Sequence, residues 1–334
     1  MAGRRILIAR ARILRLQQNR SPRYSRQMLR LVLCFLLATA VAGAWAEESI
    51  ATRSIAVPFD FSRSVIGVKA SIRGTSVYLL LDTGVDPSVI DLAVADALGL
   101  SVDRHDAGEG SGFGDSKAPT AYPSAIDALE FGGQTFPAFE ALATDLSALS
   151  SKYGTKLDGM LGFSFLSDKI ILIDYPRHEL RILRSTQEAR LTTGSCRKRW
   201  KTTFRTVDSF PIIPKFRFGS VSAPVSLDTG SNSGVGLFQS ALDLPAIRSA
   251  LRAVGDETHE GFQGKATTRS YVFDAPIGFG PFSLPPGQKM FLHGQRGSLG
   301  ERVANVGNEI PAALQLRLMI DYPGHSMIFF GNCD

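Results

Sequence analysis

Two stretches of this sequence carry acid–base side chains at matched positions. Tyr78-Leu79-Leu80-Leu81-Asp82-Thr83-Gly84 recurs as Val225-Ser226-Leu227-Asp228-Thr229-Gly230, which places Asp82 and Asp228 146 residues apart. Two carboxyl groups brought close together cannot both ionise, so they come to share one proton. One is then a base and the other an acid at the same pH, as the addition of water to an amide carbon requires. Gly84 and Gly230 permit a sharp turn beside each carboxyl group. The β-branching of Thr83 and Thr229 stiffens the loops. A single such triplet also reads as an ordinary turn with a structural Asp; here the signal is the pair.

The elements that must position the pair repeat as well. Met160-Leu161-Gly162 corresponds to Asn305-Val306-Gly307 at a spacing of 145, and Ile173-Asp174-Tyr175-Pro176 to Ile320-Asp321-Tyr322-Pro323 at 147. The body is therefore a duplication. Hairpins are predicted around Arg73-Gly74-Thr75 (Val65–Ile72 with Val77–Leu81), Gly132-Gly133 and Tyr175-Pro176-Arg177. A short helix is expected from Leu92 to a stop at Gly99, and another near 239–254. Residues 185–203, rich in Thr, Ser, Lys and Arg, read as a linker. The expected fold is all-β and two-lobed, with lobes at 54–184 and 204–331.

The charge is uneven. The chain of 334 residues has a formal net charge of +6, from 37 Lys and Arg against 31 Asp and Glu. Nine of the basic residues are Arg within 1–46, where there is no acid, so the remainder is 28 against 31, a net of −3. The body has no basic footprint for nucleic acid. Its hydrophobic content suits packed cores rather than disorder.

The basic stretch precedes an apolar run, Leu31–Ala42, and a small-residue end, Gly43-Ala44-Trp45-Ala46. This order describes a secretory signal peptide over 1–46, with the mature chain starting at Glu47. The alternative is an uncleaved anchor, but at 12 residues the run is short of the roughly 20 that span a bilayer. Met28 begins a compact signal peptide by itself, so 1–27 reads either as an overextended start or as a long basic region. Export makes the protein periplasmic or secreted. An oxidising compartment would then allow Cys196 and Cys333, the only Cys of the body, to pair; two unpaired thiols are the alternative.

With these motifs in place, the body resembles the aspartic proteases of the retropepsin/pepsin clan over nearly all of 54–331. Asp82-Thr83-Gly84-Val85-Asp86-Pro87-Ser88-Val89-Ile90 is similar to the extended retroviral protease signature, and Asp158-Gly159-Met160-Leu161-Gly162 to its supporting strand. The resemblance implies an endopeptidase that activates one water between Asp82 and Asp228, without metal or other cofactor. It implies that Thr83 and Thr229 cross-link the loops. Asp86 matches an acid that binds substrate main chain; a solvated loop acid is the other reading. The Gly-rich stretch 107–114, with Gly112 and Phe113, and its approximate counterpart 260–264, with Phe262, resemble mobile substrate-covering flaps; ordinary loops are the alternative.

Two departures from the family stand out. Val85 follows the first triplet where Ala or Ser is usual, whereas Ser231 follows the second. A Ser there can donate to its Asp, so Asp82 is expected to hold the shared proton and Asp228 the charge. Asn305 stands where the supporting motif usually has an apolar residue. The five His are scattered without ligand spacing and are expected on the surface or in loops. Expected partners are peptide or protein substrates, with membrane contact only through an uncleaved leader. A monomer is expected, its two lobes pairing within one chain. A non-catalytic peptide-binding module on the same fold is the competing reading.

Overall fold

The protein is described by a computed structural model covering residues 54–207, 209–293 and 302–333. The expected leader at 1–46 lies outside the described residues. The described part is all-β and two-lobed, with short helices.

Each half of the duplication builds a sheet of the same plan. In the first, the hairpin Gly67–Ile72 with Thr75–Leu81 turns at Arg73 and Gly74, with φ of 50° and 78°. Strand Thr75–Leu81 ends in three buried leucines, Leu79, Leu80 and Leu81. It pairs in parallel with Gly159–Leu161, whose other edge meets Ser88–Asp91. In the second half Val221–Leu227 pairs in parallel with Ala304–Val306, whose other edge meets Val235–Leu237. The registers correspond: Leu80 lies opposite Met160, and Ser226 opposite Asn305. Each triplet thus leaves a central strand held on both edges.

A third sheet joins the halves. Its six strands run in the order Ile55–Pro58, Glu179–Leu183, Ile170–Asp174, Arg317–Asp321, Ser326–Gly331 and Lys198–Thr203. At its centre one strand from each half pairs antiparallel, with Leu172 opposite Met319 and Asp174 opposite Arg317. Asp174 and Arg317 form an ion pair at 2.9 Å with both side chains almost wholly buried. Apolar residues of both halves share one continuous core.

Residues 185–203 are more than a connector. The Ser185 hydroxyl accepts from the Glu188 N–H and caps a helix, Thr186–Thr192. Lys198–Thr203 then forms the outer strand of the joining sheet, paired with Ser326–Gly331. It holds the position in its half that Ile55–Pro58 holds in the other. The sequence hides this strand because an edge strand is largely wet; its one large apolar side chain, Trp200, lies against Phe329. Cys196 and Cys333 form a disulfide at this edge, beside the hydrogen bond from Arg197 N–H to Asn332 O.

The first helix spans Leu92–Leu98, capped by the Asp91 carboxyl group and closed by Gly99 at φ 64°. The helix expected over 239–254 is broken. A 3-10 turn, Gln239–Asp243, leads to a short helix, Pro245–Ala250, and Leu251–Gly261 is a strand. Leu251-Arg252-Ala253-Val254 continues a helical pattern in sequence, but pairing with Gly264–Phe273 takes it into a long hairpin.

Candidate active site

The two triplets meet where the lobe sheets face each other. Asp82 N–H donates to Leu161 O, and Asp228 N–H to Val306 O, both at 3.0 Å. These bonds tie each triplet to its supporting strand. Thr83 and Thr229 then clasp the loops together. Thr83 N–H donates to Thr229 Oγ1 at 3.0 Å, and Thr229 N–H to Thr83 Oγ1 at 3.1 Å. Thr83 Oγ1 donates to Leu227 O, and Thr229 Oγ1 to Leu81 O, each at 2.8 Å. Both threonines are buried, so these bonds are shielded from water.

The glycines make the approach of the carboxyl groups possible. A Cβ on Gly84 would come within 2.6 Å of Asp228 Oδ1, and one on Gly230 would overlap the Asp82 carboxyl group. Each loop clears space for the acid of the other.

The two acids sit in unequal surroundings. Asp82 is buried, and its Oδ1 accepts from Gly84 N–H at 2.7 Å. Burial above all, then the charge of Asp228, pushes the Asp82 carboxyl group up to about 8, against the backbone N–H groups of Gly84 and Gly230. Asp228 is only partly buried. Its Oδ1 accepts from Gly230 N–H at 2.9 Å and Ser231 N–H at 3.1 Å, and its Oδ2 from Asn305 Nδ2 at 2.7 Å. Asp228 thus has more donors and more solvent around it than Asp82, whose carboxyl group is the one that burial raises. The surroundings are unequal, but not through the Ser231 hydroxyl. The Ser231 hydroxyl pairs with Ser233 Oγ at 2.8 Å and leaves Asp228 to the backbone N–H. Asn305, visible in the sequence only as a departure in packing, supplies the side-chain donor.

Further residues brace the loops. Asn308 Nδ2 donates to Thr229 O at 2.6 Å, while its Oδ1 accepts from Tyr175 of the other half at 2.8 Å. In the first half the Ser88 hydroxyl accepts from Gly162 N–H at 2.9 Å and from Ser164 Oγ at 2.8 Å. Tyr153 donates to Gly230 O at 3.3 Å, and burial with the nearby acids drives its phenol upward. Ser88 and Gly162 lie within the motifs already noted and Tyr175 within the repeated Tyr-Pro, whereas Asn308, Ser164 and Tyr153 carry no motif.

Two chain segments cross beside the site. In the second half Leu251–Gly261 and Gly264–Phe273 form a long hairpin whose tip carries Phe262 and Gln263. In the first, Gly108–Glu109 pairs with the start of Thr120–Ile126, and the intervening loop carries Gly112 and Phe113. The tips grip each other. Gln263 N–H donates to Phe113 O at 2.8 Å, Gln263 O accepts from Ser116 N–H at 2.9 Å, and Gln263 Oε1 accepts from Gly112 N–H at 3.0 Å. Their aromatic rings are exchanged. Phe262 packs, beside Tyr78 and Val85, against the first-half cluster that contains Leu80, Tyr153 and Met160. Phe113 meets His259, Phe291 and His293 of the second half, with ring centres 6.4, 5.9 and 4.8 Å away. Those two histidines therefore line an aromatic seat rather than lying in surface loops. Burial pushes His293 down to about 4.

Asp86 stands apart from this arrangement. It is exposed and accepts a hydrogen bond from the Ser209 hydroxyl of the second half. Among the described residues no group of three or more His, Cys, Asp or Glu is placed to hold a metal ion.

Residues 68–165, most of the first lobe, match a family model described as an aspartyl protease. No curated protein matches the chain. The matched segment holds the first triplet and its supporting strand, and the second half repeats both in the same register. That match and that repeated plan support an aspartic protease of the retropepsin/pepsin clan.

Proposed function

We propose that the protein is an exported aspartic endopeptidase in which Asp82 and Asp228 activate one water against a peptide bond. The reading rests above all on the apposition of two carboxyl groups in unequal surroundings, one buried with its carboxyl group raised and one amply supplied with donors.

The chemistry follows from that inequality. Asp228 takes a proton from water as its oxygen adds to the scissile carbonyl carbon, and Asp82 gives its proton to the carbonyl oxygen. The tetrahedral diol then collapses. Asp82 recovers a proton from one hydroxyl, Asp228 delivers its proton to the nitrogen, and the C–N bond breaks. The dyad ends as it began, with one proton between two acids. The crossing tips would lift to admit an extended peptide and close over it. The catalytic unit would be a monomer, since both triplets belong to one chain.

Digestion of a mixed peptide library by the chain from Glu47 onward, between pH 4 and pH 7, tests this reading. New termini inside the peptides, with one solvent oxygen in each new carboxyl group, are expected. Peptide binding without cleavage would instead support the non-catalytic module.

A further inference from the structure

The duplication allows the surroundings of the two acids to be compared position by position. In the first half Leu80, Leu157 and Met160 are buried together in one apolar cluster behind Asp82. At the register-matched positions the second half has Ser226, Arg302 and Asn305. Three apolar side chains have been replaced by three polar ones that bond in series. Arg302 Nη1 donates to Ser226 Oγ at 2.6 Å, Ser226 Oγ donates to Asn305 Oδ1 at 2.6 Å, and Asn305 Nδ2 donates to Asp228 Oδ2 at 2.7 Å.

The direction of this chain is set by chemistry. A guanidinium group has donors only, so Ser226 must accept from it and turn its single proton onward. That proton fixes the carbonyl oxygen of the Asn305 amide toward Ser226, which leaves the NH2 to face Asp228. Ser226 is fully buried, so water does not compete for its hydroxyl. Arg302 is itself seated over the rings of Phe210 and Phe238, 5.1 and 4.7 Å from their centres.

We propose that Arg302, Ser226 and Asn305 are positioning residues that act as a one-way hydrogen-bond chain, holding the charge of the dyad on Asp228 and so setting the acidic limit of its working range. This rests on the dyad reading above. The second half has given up an apolar cluster for donors, as a site that must keep one acid ionised at low pH would require. Several other charged or titratable groups bear on the dyad and stay unchanged in the test. Lys152 and Tyr153 act on Asp228, Tyr153 and Tyr322 act on Asp82, and Glu260 acts through Lys152.

The test is a carboxyl 13C NMR titration of Asp-labelled protein, assigned with Asp82→Asn and Asp228→Asn, run beside the pH profile of kcat/KM. Asn305→Val should raise the first ionisation of the dyad by about one pH unit, a tenfold change, and move the acidic limb with it. Ser226→Ala, which keeps the amide but frees it to rotate, should give a smaller shift in the same direction. A circular-dichroism melt of each variant identifies any that fails to fold, and Ser226→Ala serves alone if Asn305→Val does so. Ionisation unmoved in a folded variant would overturn the proposal. A wild type that titrates as expected yet cleaves no peptide would overturn the protease reading and leave the hydrogen-bond chain standing.

Discussion

Thr83 and Thr229 hold each other by reciprocal hydrogen bonds, each hydroxyl accepting the backbone N–H of the other at 3.1 and 3.0 Å. Each also donates to the carbonyl preceding the opposite Asp, so four buried backbone groups are satisfied by two side chains. The bond network is nearly symmetric although the acids it positions are not. The clasp fixes distance, and the surroundings fix protonation.

Thr83→Val keeps the shape but leaves Thr229 N–H and Leu227 O without partners. Two buried unsatisfied groups should cost about 2–5 kcal/mol in urea unfolding. Peptide cleavage should lose kcat more than it gains KM, because the acids lose alignment. Wild-type stability in this variant would show that the clasp contributes nothing.

The raised carboxyl group of Asp82 has a consequence for stability. Its folded-state value lies above the ordinary 3.8, at about 8. The folded protein therefore binds this proton more tightly than the unfolded chain does. The resulting stability is fully present below about pH 4 and is lost as pH rises through the folded value. Asp82→Asn should remove that slope and raise the Tm near pH 7. Parallel Tm-versus-pH curves for the two proteins would contradict this. The same proton is needed by the acid, so kcat/KM should fall on the alkaline side of the profile.

The disulfide Cys196–Cys333 closes a loop of 137 residues and fastens the edge strand Lys198–Thr203 to Ser326–Gly331. Chain-entropy reasoning puts its contribution at up to about 5 kcal/mol. Cys196→Ser should lower the denaturant midpoint and speed hydrogen exchange first in Lys198–Thr203. Uniform exchange across the joining sheet would locate the effect elsewhere.

Phe262 anchors the hairpin tip in the apolar cluster of the other half. Phe262→Ala should speed amide exchange at Gln263 and Ser116 about tenfold, by easing local opening. Unchanged exchange would mean that the backbone bonds between the tips suffice alone.

Much of this arrangement was legible in the sequence. The paired triplets, the matched glycine strands and the hairpins around Arg73-Gly74 depend on local residue chemistry, which a sequence displays. Other parts were set by contacts between distant segments. Lys198–Thr203 looks like linker because its partner strand lies more than a hundred residues on. Leu251–Val254 looks helical until Gly264–Phe273 pairs with it. Asn305 could be flagged as misplaced, but its purpose appears only when Ser226 and Arg302 are seen to aim it. The Phe113 seat draws His259 from the strand Leu251–Gly261 and His293 from just beyond the strand Gln288–Leu292, so no spacing announces it.

The proposed function requires that Asp82 and Asp228 together cleave peptides. Its most direct test is the cleavage rate of a peptide pool, at the wild-type optimum, by wild type, Asp82→Asn and Asp228→Asn, each verified as folded. Cleavage by wild type and a loss of at least about a thousandfold in either variant are expected, since each step needs both an acid and a base. Cleavage persisting at the wild-type rate in both variants would contradict it.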